Sequence, residues 1–453
     1  MTYKILDNDL ITNEVLGTDS RSNALSIRLV FAFWGLFLTF STAGILMPGL
    51  VGEQPSFLYR ITNLTSYAWL ALIFFLTLSN YKILVHKSGI DIHTSLIIKL
   101  LIVLIMLELL NGFVRTNQQF SEFTRDALLE FTPMFGMITI FVAIGCKQFK
   151  KHFANMITYQ TFLGGLLSLY IVFKYPIDLG RWNIFSPHFF ALWMGSISVM
   201  AMANIQTYNF HKRIIVIVGF ISFSIMMIAY QSRGGSINTF VIFPIAYFMT
   251  QIRSSRFKRP FRTLMLLLVS GITILIVWNI DFVRYQVESG WRGTTDRLYG
   301  GAHQAQIIQG FRDTVLDELD RSRGEEVREF LEKASLYTWV FGEGFGSKWQ
   351  SDLMARGGEW PMVHFGPLHL VLKGGLLLSI MYLYLFLLAI KRSWHAISYD
   401  PIAASCFCYL IYYMADFMKH GPVFHAYQFY TVWLVLGFGL SFHAQPVKPR
   451  YPV

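Results

Sequence analysis

Long runs of apolar residues, separated by shorter polar segments, recur along almost the whole chain. A run of about 20 apolar residues is long enough to cross the roughly 30 Å hydrocarbon core of a bilayer as a helix. The sequence therefore predicts an all-α fold, a polytopic membrane protein with about twelve transmembrane helices. We place these helices at 24–46, 64–85, 93–114, 128–146, 155–175, 187–206, 214–230, 236–252, 263–283, 364–390, 401–419 and 427–443.

One stretch, residues 284–363, is too polar to cross a membrane and is predicted to be a long, partly helical loop. Apolar residues at helical spacing predict amphipathic helices at 311–320 and 325–335, the second with Val327, Phe330 and Leu331 on one face. The stretch FGEGFG that follows predicts a turn. The chain thus divides into a tail at 1–23, transmembrane helices at 24–283, the loop at 284–363, transmembrane helices at 364–443 and a tail at 444–453.

The composition excludes several classes of protein. Of the 453 residues, 54% are hydrophobic and only 14% are charged, whereas about 25% of the residues of a soluble domain are charged. An ordinary soluble domain, a disordered chain and a nucleic-acid-binding protein are therefore not expected. The net charge of +11 has another explanation, because loops on the cytoplasmic side of a membrane carry an excess of Lys and Arg.

The Lys and Arg residues are distributed unevenly between the two sides of the predicted helices. If the N-terminus is inside, the inner segments and helix ends carry nineteen of them, and the short outer loops and helix ends carry seven. This bias predicts that both termini are cytoplasmic and that residues 284–363 are extracytoplasmic.

Five of the arginines on the predicted outer side are candidates for binding a ligand. They are Arg115, Arg181, Arg233, Arg292 and Arg297. The planar guanidinium group binds phosphate or diphosphate through two parallel hydrogen bonds, and it keeps its charge at a membrane surface. Pairing with lipid head groups or loop acids is the alternative for any single one. Arg233 favours the functional interpretation, because two glycines follow it and allow a ligand to approach the backbone closely.

Other ionisable residues are candidates for chemistry at the membrane boundary and within the helices. His364 opens the tenth predicted helix, where it is either a general base or an interfacial ring. Lys373 follows it by nine residues, roughly 13 Å along a helix, which predicts a position near the middle of the membrane.

Lys99, Glu108, Lys373 and Asp416 lie within predicted helices. Such residues are functional candidates or structural ion pairs, and Lys373 is a possible partner of Glu108 or Asp416. No cluster of acids or histidines with metal-ligand spacing is visible on the outer side, so we expect no metal and no cofactor.

The order of short motifs between about residues 210 and 390 resembles that of a known superfamily. Ser232-Arg233-Gly234 ends one span, and a basic loop follows at 253–262. The long loop then carries Arg292 and Arg297 near its start and three alternating glycines at 342–346. Finally His364 opens a span that continues into LKGGLLLS at 372–379. This order resembles the O-antigen polymerase and O-antigen ligase superfamily of bacterial envelope glycosyltransferases. Phe365 departs from it, because the family commonly has Asn after the histidine.

The resemblance implies a metal-independent glycosyltransferase in the bacterial plasma (inner) membrane. Its substrates would be undecaprenyl-diphosphate-linked glycans, and its partners would be membrane lipids and a chain-length regulator protein. Arg233 with Arg292 or Arg297, supported by Arg181 and Arg115, would bind the diphosphate, and His364 would activate the acceptor hydroxyl. We favour a polymerase of surface polysaccharide repeat units over a ligase that transfers the glycan to lipid A core. A secondary transporter is the alternative from another class, although such proteins usually have two similar halves.

Overall fold

The structure is a computed structural model. It describes residues 24–39, 42, 46, 56–80, 92–115, 123, 147–174, 196–229, 238–253, 327–350, 359–360, 363, 365–420 and 426–442. The predicted spans at 128–146 and 263–283, both predicted tails and the predicted helix at 311–320 lie outside these residues.

Helices make up almost all of the described chain. In chain order they are α1 (Ala24–Thr39), α2 (Phe57–Ser79), α3 (Ile92–Arg115), α4 (Lys147–Lys174), α5 (196–203), α6 (Phe210–Ala229), α7 (Phe243–Arg253), α8 (327–333), α9 (Leu336–Phe341), α10 (Gly366–Ala396), α11 (Pro401–His420) and α12 (Ala426–Ser441). A 3-10 turn at Ile205–Thr207 precedes α6, and a π-helical turn at Asn238–Ile242 leads into α7. The two-residue strands β1 (Trp349–Gln350) and β2 (Glu359–Trp360) form an antiparallel pair.

Six of the described helices are long and apolar enough to cross a membrane. They are α2, α3, α4, α6, α10 and α11, and the shorter α1 and α12 are also apolar. The outward side of α3 exposes Leu96, Leu100, Val103, Leu107, Leu110 and Phe113. Such an apolar surface on a fully hydrogen-bonded helix fits contact with lipid. The described part of the chain is therefore that of an all-α membrane protein, with six candidate spans where the sequence predicts about twelve.

Two helices begin earlier than their apolar runs predict. The second predicted span starts at 64, but α2 starts at Phe57; the fifth starts at 155, but α4 starts at Lys147. In α4 the extra turns are stabilised by packing, because the buried rings of Phe149 and Phe153 contact Phe438 of α12, the first stacked and the second tilted. Hydropathy alone does not detect such contacts.

Contacts between helix ends define one side of the bundle as a basic end. Lys150 forms an ion pair with Asp400 at 2.7 Å. Arg392 donates to the Leu440 carbonyl at 2.6 Å. Two further basic residues join this end: Lys212 donates to Asn155 Oδ1 at 2.6 Å, and Arg253 lies over the ring of Trp394. Because Lys150, Lys212, Arg253 and Arg392 come from four different helices, the basic end is a property of the whole bundle.

Helices α4 and α6 cross with their backbones close together. A Cβ atom added to Gly165 would lie 2.6 Å from the Gly219 Cα atom, and one added to Gly219 would lie 2.5 Å from the Thr161 carbonyl oxygen. Small residues let two helix backbones approach where apolar packing in lipid provides little driving force. This crossing holds α4 and α6 directly against each other.

The described part of the long loop packs against the start of α10. Phe330 of α8 is fully buried, and it contacts Trp339 of α9 and Trp349 of β1. The prediction that Leu331 shares this buried face is wrong, because its side chain is 54% exposed. The helix ends at residue 333, and Ser335 caps α9 by accepting from the Thr338 N–H at 3.1 Å. The chain therefore turns before Leu331 is covered.

Candidate functional site

Helix α10 is broken after its first two turns. Gly374 has φ −135° and ψ 15°, and Gly375 has φ 68° and ψ −176°. The second conformation is essentially restricted to glycine. In a continuous helix the carbonyls of Leu372 and Lys373 would accept from N–H groups four residues later. The break therefore leaves two buried carbonyl groups that need other donors.

A glycine-rich stretch of the long loop supplies those donors. We call residues 341–347 the glycine segment. The Glu343 N–H donates to the Leu372 carbonyl at 2.6 Å, and the Gly344 N–H donates to the Lys373 carbonyl at 3.0 Å. The three alternating glycines Gly342, Gly344 and Gly346 have φ values of 72°, 83° and 82°. This backbone path is open to glycine and strained for other residues. The turn predicted from FGEGFG is thus the part of the loop that binds to the break in α10.

Helix α3 contacts the glycine segment from the other side. Asn111 Nδ2 donates to the Gly342 carbonyl at 3.4 Å and lies 3.5 Å from the Phe341 carbonyl oxygen, while its Oδ1 accepts from the Tyr337 hydroxyl at 2.9 Å. A Cβ atom added to Gly344 would lie 2.5 Å from the backbone nitrogen of Gly112. The segment is therefore held between α3 and α10 with its backbone in direct contact with both.

Three ionisable side chains lie around the junction of the glycine segment with α3 and α10. Lys373 is only 2% exposed, and its amine donates to the Ser347 carbonyl at 2.7 Å. The half-buried Glu343 accepts a short hydrogen bond from the Thr338 hydroxyl. Glu108 is 7% exposed and lies one turn before Asn111 on α3; among the described residues its Oε2 atom has no hydrogen-bond partner. Burying ionisable groups such as Lys373 and Glu108 costs free energy, so the junction is a candidate site.

Lys373 lies on the part of α10 that is far from the basic end. Helix α10 continues to Ala396, and Arg392 belongs to the basic end of the bundle. Arg392 follows Lys373 by 19 residues, which is roughly 28 Å of helix. The position of Lys373 near the middle of the membrane stays a prediction.

The other ionisable residues of the spans are distributed over different surroundings. Asp416 lies 3.5 Å from the Nδ2 atom of Asn238, at the π-helical turn before α7. Lys99 is exposed on the outward side of α3. The two predicted partners of Lys373 have different surroundings. Asp416 contacts the π-helical turn, and Glu108 lies one turn before Asn111 on α3.

The sequence-predicted site residues are mostly outside the described part of the chain. Arg115 is the last residue of α3, four residues after Asn111, so it belongs to the same end of that helix as the junction. Arg181, Arg233, Arg292, Arg297 and His364 lie outside the described residues.

The neighbours of His364 in the chain are described. Val363 is fully buried, and Phe365 packs against the same cluster, which also contains Phe330 and Trp349. The Val363 N–H donates to His369 Nδ1 at 3.3 Å. His369 is 2% exposed and is therefore part of the packed interior here.

The sequence interpretation missed several residues of the junction, among them Asn111, Tyr337, Glu343 and Ser347. One signal was available: paired glycines inside an apolar span mark a possible helix break, and a second glycine-rich stretch lay close by in the sequence. Within the described ranges, no group of three or more His, Cys, Asp or Glu side chains is arranged to hold a metal ion.

Comparison with known proteins leaves the family open. No family model matches the chain, and no curated protein matches it significantly. The candidate site is therefore interpreted from its own geometry and from the order of motifs in the sequence.

Replacing Gly375 by alanine should destabilise the protein. The new Cβ atom would lie 2.2 Å from the Val340 carbonyl oxygen, on a backbone with φ 68°, and strain of this kind costs about 1–3 kcal/mol. The midpoint of thermal unfolding, followed by tryptophan fluorescence of detergent-purified protein, should fall. An unchanged midpoint in Gly375→Ala would contradict this account of the break.

Proposed function

We propose that this protein is a glycosyltransferase that polymerises the repeat units of a bacterial surface polysaccharide, O-antigen or similar. It takes a glycan from an undecaprenyl-diphosphate carrier on the outer face of the plasma membrane and transfers it to a hydroxyl group of a second lipid-linked glycan. Undecaprenyl diphosphate is released. The order of motifs from Ser232-Arg233-Gly234 to LKGGLLLS supports this proposal.

The structural observation that carries the proposal is the junction of the glycine segment with α3 and α10. It gathers Glu108, Glu343 and Lys373 at the level where a polar loop meets apolar helices, away from the basic end. The reactive bond of a polyprenyl-diphosphate-linked sugar lies at the same kind of boundary, because its tail is in the bilayer and its glycan is in water. A site for this substrate therefore needs polar groups at the membrane boundary.

The proposed chemistry uses arginine and histidine. Arg233, with Arg292 or Arg297, binds the diphosphate and stabilises the negative charge that develops on the leaving group. Arg115 and Arg181 add positive charge to the same side. His364 accepts or orients the proton of the acceptor hydroxyl. No metal ion is required in this scheme, since the arginines provide the positive charge.

The orientation that this function requires follows from the charge distribution. The basic end of the bundle faces the cytoplasm, as the positive-inside rule expects. The glycine segment then faces outward, and both termini are cytoplasmic. Membrane lipids surround the bundle, and a chain-length regulator protein is the expected protein partner.

Two alternatives differ in what they require. A ligase would use the same donor with lipid A core as the acceptor. A secondary transporter would use unwound helix carbonyls to coordinate an ion. In α10, however, the Leu372 and Lys373 carbonyls already accept from Glu343 and Gly344, which disfavours the transporter.

Purified protein supplied only with a lipid-linked repeat unit should form a ladder of longer glycans. A requirement for lipid A core as the acceptor would identify a ligase.

The orientation can be tested by cysteine labelling in intact cells. Arg328 lies on α8, and its side chain is 80% exposed. In a variant without native cysteines, Arg328→Cys should react with a membrane-impermeant maleimide from outside. Ser398→Cys, which is exposed near the basic end, should react only after permeabilisation. The reverse pattern would overturn the orientation and the proposed site with it.

Replacing Arg233 by lysine should be nearly as damaging as replacing it by alanine. A lysine amine cannot reproduce the two parallel hydrogen bonds of a guanidinium group. A charge-assisted hydrogen bond contributes roughly 1.5–3 kcal/mol, so the transfer rate in the ladder assay should fall about tenfold to a hundredfold or more.

Arg328→Ala is the matched control for this loss of an arginine, because its exposed side chain pairs only with Glu332 among the described residues. It should retain the wild-type rate. An Arg233→Lys protein that makes wild-type glycan lengths at the wild-type rate would reduce Arg233 to an interfacial charge.

Replacing His364 by alanine should abolish most transfer while protein level and donor binding persist. Loss of a general base typically costs about 10²–10⁴-fold in rate. The wild-type rate should fall as the pH drops through about 6.5, the pKa of an unperturbed histidine, because the protonated ring cannot accept a proton. An active His364→Phe protein with an unchanged pH profile would remove the histidine from the mechanism.

A further inference from the structure

We propose that Lys373 and Asn111 are positioning residues. They hold the glycine segment in the break of α10, and so fix the first two turns of this helix relative to α3. The consequence for catalysis rests on the proposed function, in which His364 acts on the acceptor hydroxyl. His364 comes directly before Phe365 and these two turns in the sequence.

The first two turns of α10, residues 366–373, are separated from the rest of the helix by the break. We call these two turns the outer part of α10. The non-helical backbone angles of Gly374 and Gly375 interrupt the helix directly after the Leu372 and Lys373 carbonyls. Their donors are the Glu343 and Gly344 N–H groups of the glycine segment. The direction of the outer part therefore depends on the position of the glycine segment.

Lys373 holds the glycine segment at two points. Its backbone carbonyl accepts from the Gly344 N–H at 3.0 Å, and its amine donates to the Ser347 carbonyl at 2.7 Å. A lysine side chain that is 2% exposed needs such a partner, because an ammonium group without hydrogen bonds is costly to bury. Folding the amine back onto Ser347 fixes the curvature of the segment between residues 344 and 347.

Asn111 holds the segment at its other end. Its amide reaches the Phe341 and Gly342 carbonyls, and its side-chain oxygen accepts from Tyr337 of α9. Asn111 belongs to α3, a candidate membrane-spanning helix with its own buried face. Asn111 therefore fixes the position of the glycine segment, and through it that of the outer part of α10, relative to a helix more than 200 residues earlier in the chain.

The outer part of α10 is also fixed to the loop on its opposite side. Leu368, Val371 and Leu372 pack with Phe330 and Trp349 in one buried cluster. This apolar contact holds the helix against the loop, but it does not set the rotation of the helix as directional hydrogen bonds do. Lys373 and Asn111 supply those directional contacts.

Hydrogen–deuterium exchange tests this inference without any assay of activity. In wild-type protein in detergent, the Glu343 and Gly344 amides should exchange slowly. Lys373→Met keeps the length of the side chain and removes its donor, so exchange of these amides should become at least about tenfold faster as local opening becomes easier. Lys373→Arg, which still donates, should stay protected. Lys333→Met is the matched control on α8, where Lys333 pairs with Glu329, and it should also leave the amides protected.

The ladder assay then tests the positioning role. Lys373→Met should lower kcat about tenfold to a hundredfold, because a misplaced catalytic group costs this much, while KM for the lipid-linked donor stays unchanged. Lys373→Arg should recover most of the rate. Asn111→Leu should act in the same direction on exchange and on kcat, and it serves as the second variant if Lys373→Met does not fold.

The outcomes separate the two proposals. Wild-type amides that exchange without protection, or variants that leave exchange unchanged, would overturn the attachment of the segment. Faster exchange with an unchanged kcat would overturn the positioning role. A wild-type protein that is folded and protected but transfers no glycan would refute the proposed function, and the exchange data would still decide whether Lys373 and Asn111 hold the segment.

Discussion

Inside a membrane no water can hydrogen-bond to backbone N–H and C=O groups, so the protein itself must supply their partners. In the described part of this protein, the break in α10 is where this requirement has the largest effect. A continuous helix satisfies its own N–H and C=O groups, but α10 is interrupted at Gly374 and Gly375. Lipid cannot supply the missing donors. The protein supplies them from residues 343 and 344 of its own loop. The packing of α3, α9 and the aromatic cluster around the loop all serve to keep those two donors in place.

The two ends of the bundle are built in different ways. At the basic end, side chains of Lys and Arg connect helix termini through ion pairs, carbonyl contacts and one aromatic ring. At the opposite end, backbone groups make the connection, and glycines allow them to approach. Partly buried side chains make the contacts at the first end, whereas main-chain hydrogen bonds give the second end one defined backbone geometry. A reaction that needs groups at fixed distances is better supported by the second.

Much of the fold was visible in the sequence, and the site was visible only in part. The apolar runs predicted α3, α10 and α11 closely, because a span must be apolar over its whole length. The extra turns of α4 escaped prediction, because distant aromatic contacts stabilise them. Lys373 was recognised as a candidate, but its contact with the Ser347 carbonyl was not predicted, because that partner lies in the long loop. Asn111 carries no local signal at all, since its partners lie some 230 residues away.

The contacts of the glycine segment are made largely by the main chain, and this has a consequence for mutational tolerance. The hydrogen bonds from residues 343 and 344 to α10 do not depend on the side chain of residue 343. The side chain of residue 343 has a separate role, because Glu343 accepts from the Thr338 hydroxyl of α9. The neighbouring glycines have positive φ values, so other residues are strained there. A substitution at residue 343 therefore removes a contact with α9, whereas a substitution at one of the glycines strains the backbone path itself.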